Sequence, residues 1–221
     1  MPDYIAIIGD LKKSRSINDR ANAQRMIKRT LNDIYVKHSH LFASRISLTL
    51  GDEFQSLIYP NSKGIFFMID DLESHLSDFP FRIGIGYGNI STDIDNNLST
   101  DADGEAFWNA REAITTLRTH ESNRKVKIYI KGFTEHQDEI LNGLLEASDT
   151  LKSSWTTLQK QTFYTMIAQG IYSPKFNQKN HAQIIGISES SYTKRLYASN
   201  IKLYLRLRNL IEESMGRWYQ C

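Results

Sequence analysis

Apolar and polar positions divide the chain into two unlike halves. Residues 4–8 form a compact β-rich run of the kind buried inside a sheet. Asn18 or Asp19 can cap a helix running to about residue 37, with Met26, Ile27, Leu31 and Ile34 on its apolar side. Residues 45–50 alternate at period two and residues 54–59 form a second strand; only Gly51, Asp52 and Glu53 separate them, which predicts a tight hairpin. Pro60 and Asn61 end it and lead into a helix over 63–76. Residues 81–88 alternate bulky side chains with glycine, and three glycines in one strand permit close approach by a neighbouring element or a ligand. A polar loop over 89–100, a helix over about 103–117 and a strand over 126–130 complete this half. The order β-α-β-β-α-β-α-β predicts an α+β fold, a ferredoxin-like βαββαβ palm with one added α-β unit, as a first domain over 1–135. After Gly132 the pattern is wholly helical, with helices over 136–151, 157–169, 178–185 and 188–215, and 136–221 reads as a second, all-α domain.

Composition adds location and charge. A hydrophobic content of 40% and a charged content of 24% are those of an ordinary soluble protein and argue against disorder and against a membrane protein. The apolar run 5–8 is too short for a signal-peptide core, and no stretch approaches the roughly 20 residues needed to span a bilayer. The single cysteine, Cys221, cannot form an internal disulfide, so a cytoplasmic location is expected. The net charge of +2 hides an asymmetry: residues 1–135 hold 17 Lys/Arg against 18 Asp/Glu, whereas residues 152–208 hold nine Lys/Arg and one acid, Glu189, a net of +8. Such a concentration attracts phosphate polyanions or an acidic partner surface, unless it is only a solvated face.

In the first half the chemistry lies at the hairpin. Asp10 follows the first strand, and Asp52 and Glu53 sit at the hairpin tip. With the first strand paired centrally against the hairpin, these carboxylates come within reach of one hard cation, Mg²⁺ or Mn²⁺. The plain structural alternatives are a turn shaped by Asp52, a Glu53 paired with Arg45 or Arg111, and a helix capped by Asp10. Neither a zinc site around His38 and His40 nor a Gly-x-Ser-x-Gly nucleophile elbow can be read from the sequence.

Gly51-Asp52-Glu53-Phe54 resembles the signature hairpin of the GGDEF diguanylate cyclases, and Asp10 lies 42 residues before Asp52, close to that family's spacing. The stretch from Ala102 to Arg111 is similar to a helix of the same family and to the Asn-x-Ala-Ala-Arg helix of class III adenylate cyclases. Together these segments most resemble the SatD family, over nearly the whole chain. The resemblance implies a nucleotidyl cyclase-like domain in which Asp10 and Glu53 match metal ligands, and Asp52 an acid for metal binding or base work. Arg111 takes the place of a phosphate-contacting cation with a catalytic role, while Lys12, Lys13, Ser14 and Arg15 lie where a first loop meets phosphates, and Gly51 where a nucleotide approaches. Leu50 replaces the first glycine of GGDEF, the Phe-Lys-x-x-Asn-Asp segment is absent, and no Arg-x-x-Asp motif precedes the hairpin, all of which argue against diguanylate cyclase activity.

In the second half, residues 178–196 resemble a DNA-binding helix-turn-helix. Ala182 stands where two helices touch, Gly186 supplies a left-handed turn residue, and Ser188 can cap the second helix, with Glu189 in its first turn. Ile185, Ile187, Tyr192 and Leu196 form its buried spine, whereas His181 occupies a position that is usually apolar. Ser190, Ser191, Lys194 and Arg195 project away from the spine and suit a major groove. Leu203, Leu207, Leu210 and Ile211 form an apolar stripe, packed on its own domain or on a homodimer seam. The expected protein is a DNA-binding transcriptional regulator with a nucleotide-sensing or vestigial cyclase-like domain. The alternatives are an active metal-dependent nucleotidyltransferase regulated by its C-terminal helices, and a protein-docking module.

Overall fold

The computed structural model describes residues 3–12, 19–49, 52–95, 99, 102–119 and 125–219. The first half runs β1 (Asp3–Leu11), α1 (Arg20–Lys37), β2 (Phe42–Leu48), β3 (Glu53–Ile58), α2 (Ile65–His75), β4 (Phe81–Asn89), α3 (Glu105–Thr119) and β5 (Ile128–Lys131). The sheet order is β2-β3-β1-β4-β5, with β1 antiparallel to β3 and to β4, and β5 parallel to β4. The expected βαββαβ connectivity is therefore present, and the added α-β unit extends the sheet at β4. Asp19 caps α1 through a 3.0 Å bond from the Asn22 amide. Ala23 takes the place expected of Met26 on that helix's buried side, and Met26 is exposed.

β1 is apolar on both sides because the sheet is covered on both faces. Ile5, Ile7 and Leu11 join a core with α1, α2, α4 and α8, while Ala6 and Ile8 join a second core under α3. The glycines of β4 serve the second face. A Cβ on Gly84 would lie 2.3 Å from the Ala110 carbonyl oxygen, and one on Gly86 only 2.0 Å from that of Ala106. The close neighbour that they admit is α3, whose Ala106, Ala110 and Ala113 are equally small.

The second half is α4 (Glu135–Ser153), α5 (Thr157–Ala168), α6 (Gln178–Ile184), α7 (Glu189–Ser199) and α8 (Ile201–Trp218). Capping boxes start α4, with Thr134 and Gln137, and α5, with Thr156 and Gln159. The single helix expected over 188–215 is broken at Asn200, which adopts φ 52° and turns the chain. α8 then runs back to the sheet, where Ile211 and Met215 enter the main core and the Glu212 carboxylate accepts from the Gly64 and Ile65 amides at 2.9 and 2.6 Å. The buried stripe of α8 is Ile201, Tyr204, Leu205, Arg208, Ile211 and Met215, so of the expected stripe only Ile211 is fully enclosed.

A buried ionic network also crosses from the first half to the second. Asp70 on α2 accepts from Lys152 at 2.5 Å, Tyr172 at 2.6 Å and Tyr204 at 2.8 Å. Lys152 also meets Glu73, and Arg208 is paired with Asp149 and donates to the Tyr204 hydroxyl at 3.1 Å.

Candidate functional site

The strand register sets Asp10 opposite Glu53 on one side and opposite Arg82 on the other. Alternation puts all three on the face that α3 covers. α3 adds Arg111 and Arg118, seven residues apart and hence on one side of the helix. Arg118 holds both acids: its Nη2 lies 2.9 Å from Asp10 Oδ1 and 2.9 Å from Glu53 Oε1, and its Nε donates to Asp10 Oδ2 at 3.3 Å. Arg82 Nε stands 2.8 Å from Asp10 Oδ2, and Arg111 Nη1 stands 2.5 Å from Glu53 Oε2. Asp10 is only 4% exposed, and a carboxylate so enclosed requires such partners. The hydrogen bond to Asp10 is the main cause that raises the Arg118 pKa above its ordinary value. Three guanidinium groups around two carboxylates leave the cluster with one surplus positive charge.

That donor set does not fit a preformed Mg²⁺ or Mn²⁺ centre. All four oxygens of Asp10 and Glu53 are occupied by arginine nitrogens. Among the described residues no group of three or more His, Cys, Asp or Glu side chains is placed to hold a metal ion.

The cluster unites Asp10, Glu53 and Arg111, three of the residues expected there. Glu53 belongs to β3 rather than to the hairpin tip, and its contact with Arg111 is the ion pair named above as a structural alternative. Asp52 precedes β3, its carbonyl accepting from the Leu11 amide at 3.0 Å, while the Lys12 amide donates to Pro80 at 2.7 Å. Lys13, Ser14, Arg15 and Gly51 lie outside the described residues. Arg82 and Arg118 are additions. The heptad spacing of Arg118 from Arg111 was a legible signal for one of them, whereas Arg82 is found only through the β1–β4 register.

In the second half, α6 and α7 are joined by a short turn. Asn177 caps α6 and Ser188 caps α7, accepting from the Asn180 and Ser191 amides at 3.0 and 3.2 Å. Gly186 has φ +72°, a left-handed conformation that glycine adopts without strain. Ala182 and Tyr192 are fully enclosed, and Leu196 is buried beside them. On the opposite side of α7, Ser190, Ser191 and Lys194 are exposed. Arg195 differs: it is half-buried and donates to Thr162 Oγ1 at 2.9 Å, tying α7 to α5. The charge of this half is also partly internal. Of the nine cations in residues 152–208, Lys152 and Arg208 are buried in ion pairs, which leaves seven against Glu189, a surplus of +6 at the surface.

Fold and site together define an α+β protein with a two-sided sheet, an arginine-clamped pair of carboxylates and a helical half locked onto it. The chain belongs to the SatD family, whose family model matches residues 4–215. No curated protein matches it. Among solved structures it is similar to a bacterial light-regulated adenylyl cyclase, at 12% identity and a TM-score of 0.44, over 58% of this chain and 43% of that one. A second structure of a bacterial light-regulated adenylyl cyclase gives 13% identity and a TM-score of 0.43, over 58% of this chain and 75% of that one. The chain thus spans less than half the length of the first of these. No helix among the described residues is long and apolar enough to cross a membrane.

Proposed function

We propose that this SatD-family protein is a DNA-binding transcriptional regulator in which residues 178–196 act as a helix-turn-helix and the sheet half senses a nucleotide. The observation that carries this reading is the free face of α7, where Ser190, Ser191 and Lys194 stand exposed while Tyr192 and Leu196 anchor the other side. Short hydroxyls near a helix start can reach base edges or phosphates, and a lysine one turn further on suits a phosphate. The surface surplus of cations around α7 adds the sequence-independent attraction that a duplex requires. The buried pairs that run from α2 to α4 and from α4 to α8 support a regulatory role, because they join the sheet half to the helices that carry α7.

The test is a fluorescence-anisotropy titration of a mixed-sequence duplex with the full chain. Binding is expected at about 50 mM salt, and it should weaken steeply by about 200 mM as counterions are released. A folded chain with no affinity at the lower salt would overturn the reading.

A further inference from the structure

On the sheet face opposite α3, helix α1 and the edge strand β2 flank an open groove of about 820 Å³. That size falls within the roughly 300–1,000 Å³ of small-molecule sites. Arg25, Lys28 and Arg29 from α1 and Arg45 from β2 line it, and no Asp or Glu does. Positions 25, 28, 29 and 32 follow the i, i+3, i+4, i+7 spacing of one helix face, so the cations of α1 are gathered on a single side. Cations crowded in this way repel one another unless an anion joins them. In the Asp10–Glu53 cluster every arginine meets a carboxylate, whereas among the described residues Arg25, Lys28 and Arg29 make no ion pair. Arg45 is already positioned: it donates to Asn32, and its guanidinium lies 5.5 Å from the centroid of the Tyr35 ring. The remaining lining includes Leu48, partly exposed, above the buried Leu31 and Ile46, and these give the groove an apolar floor.

We infer that this groove binds a nucleoside triphosphate, with the polyphosphate among Arg25, Lys28, Arg29 and Arg45 and the base over the apolar floor. The inference rests on the sheet half being a nucleotide sensor and places the ligand on the face opposite Asp10, Glu53 and Arg111. Four cations match the charge of a triphosphate, and guanidinium groups pair with its oxygens in bidentate fashion. The planar base supplies the apolar area that inorganic phosphate lacks.

Calorimetric titration of the full chain with ATP, GTP and inorganic tripolyphosphate tests this. At least one nucleotide should bind, and more tightly than tripolyphosphate by about tenfold. The double variant Arg25→Gln, Lys28→Gln changes two exposed positions and should stay folded by circular dichroism, yet weaken nucleotide binding at least tenfold. Unchanged affinity in that folded double variant would overturn the groove assignment. So would loss of binding in Arg111→Gln with full binding in the double variant, a result that leaves the sensor reading standing. Equal affinity for tripolyphosphate and the nucleotides would overturn the assignment of the base to the apolar floor. If neither nucleotide binds the wild-type chain, the groove assignment and the sensor reading both fail.

Discussion

His181 is fully buried between α5 and α7, 5.2 Å from the centroid of the Tyr192 ring, and neither of its ring nitrogens has a hydrogen-bond partner within the protein. Burial lowers its pKa from the usual 6.5, and a weak backbone contact from Thr165 offsets only part of that. The unfolded chain then takes up a proton at a higher pH than the folded one. The stability that this histidine contributes is therefore complete above about pH 6.5 and declines as the pH falls below it. His181→Leu should remove that decline from urea-denaturation curves recorded across pH 5–7, and it should stabilise the fold by about 1 kcal/mol by deleting an unsatisfied polar ring. A decline that survives the substitution would assign the effect to another group. The sequence flagged His181 because a helix-turn-helix usually carries an apolar residue there; its lack of partners could be seen only in three dimensions. Glu73 behaves in the opposite sense from most buried acids. Burial pushes its carboxyl up, but Lys152 and Lys127 outweigh this and hold it at about 2, below the ordinary 4.5. Its contribution is present above about pH 4.5 and is lost as the pH falls towards 2, so Glu73→Gln should flatten the acid limb of the stability profile.

Among the elements, α1 was the most legible, because its periodicity followed from burial on one side. By contrast, β2 runs over Phe42–Leu48 rather than 45–50, and β3 is buried on both faces. The contact between β4 and α3 was half legible: three alternating glycines announced a close approach without saying whether a helix or a ligand would make it. Because the atoms nearest a new Cβ at Gly86 are the backbone oxygen and nitrogen of Ala106 and Ala110, at 2.0 and 2.2 Å, α3 would have to lift from the sheet. Gly86→Ala should therefore cost about 1–3 kcal/mol or more in chemical denaturation. Gly143 on α4 has nothing within 4 Å, and Gly143→Ala should instead stabilise by about 0.5–1 kcal/mol through helix propensity. Equal effects at the two positions would refute the packing of α3 described above. The helix break at Asn200 was not legible, because the apolar pattern continues through it; the left-handed φ of that asparagine is what returns α8 to the sheet.

For the molecule as a whole, the first-half topology followed from the order of its elements, and it brought Asp10 beside Glu53 as expected. Two properties could not be read in that way. The sequence counted Lys152 and Arg208 as part of a basic surface, yet both lie within the protein, matched by Asp70, Glu73 and Asp149 from distant stretches of chain. It also suggested a boundary near residue 135, across which α4 and α8 share the main core with the sheet. Lys152→Met should cost about 3–5 kcal/mol, since it strands Asp70 and Glu73 without their buried cation, and sheet and helices should melt in one transition when followed by circular dichroism and by tryptophan fluorescence. Two separated transitions would contradict the coupling of the two halves. The proposal that α7 reads DNA is tested most directly by the salt dependence of full-chain binding to a duplex, compared between the wild type and Lys194→Ala. If Lys194 meets a phosphate, the slope of log K against log salt should fall by about 1, and binding should weaken alike across sequences. An unchanged slope together with unchanged affinity would contradict the placement of α7 on DNA.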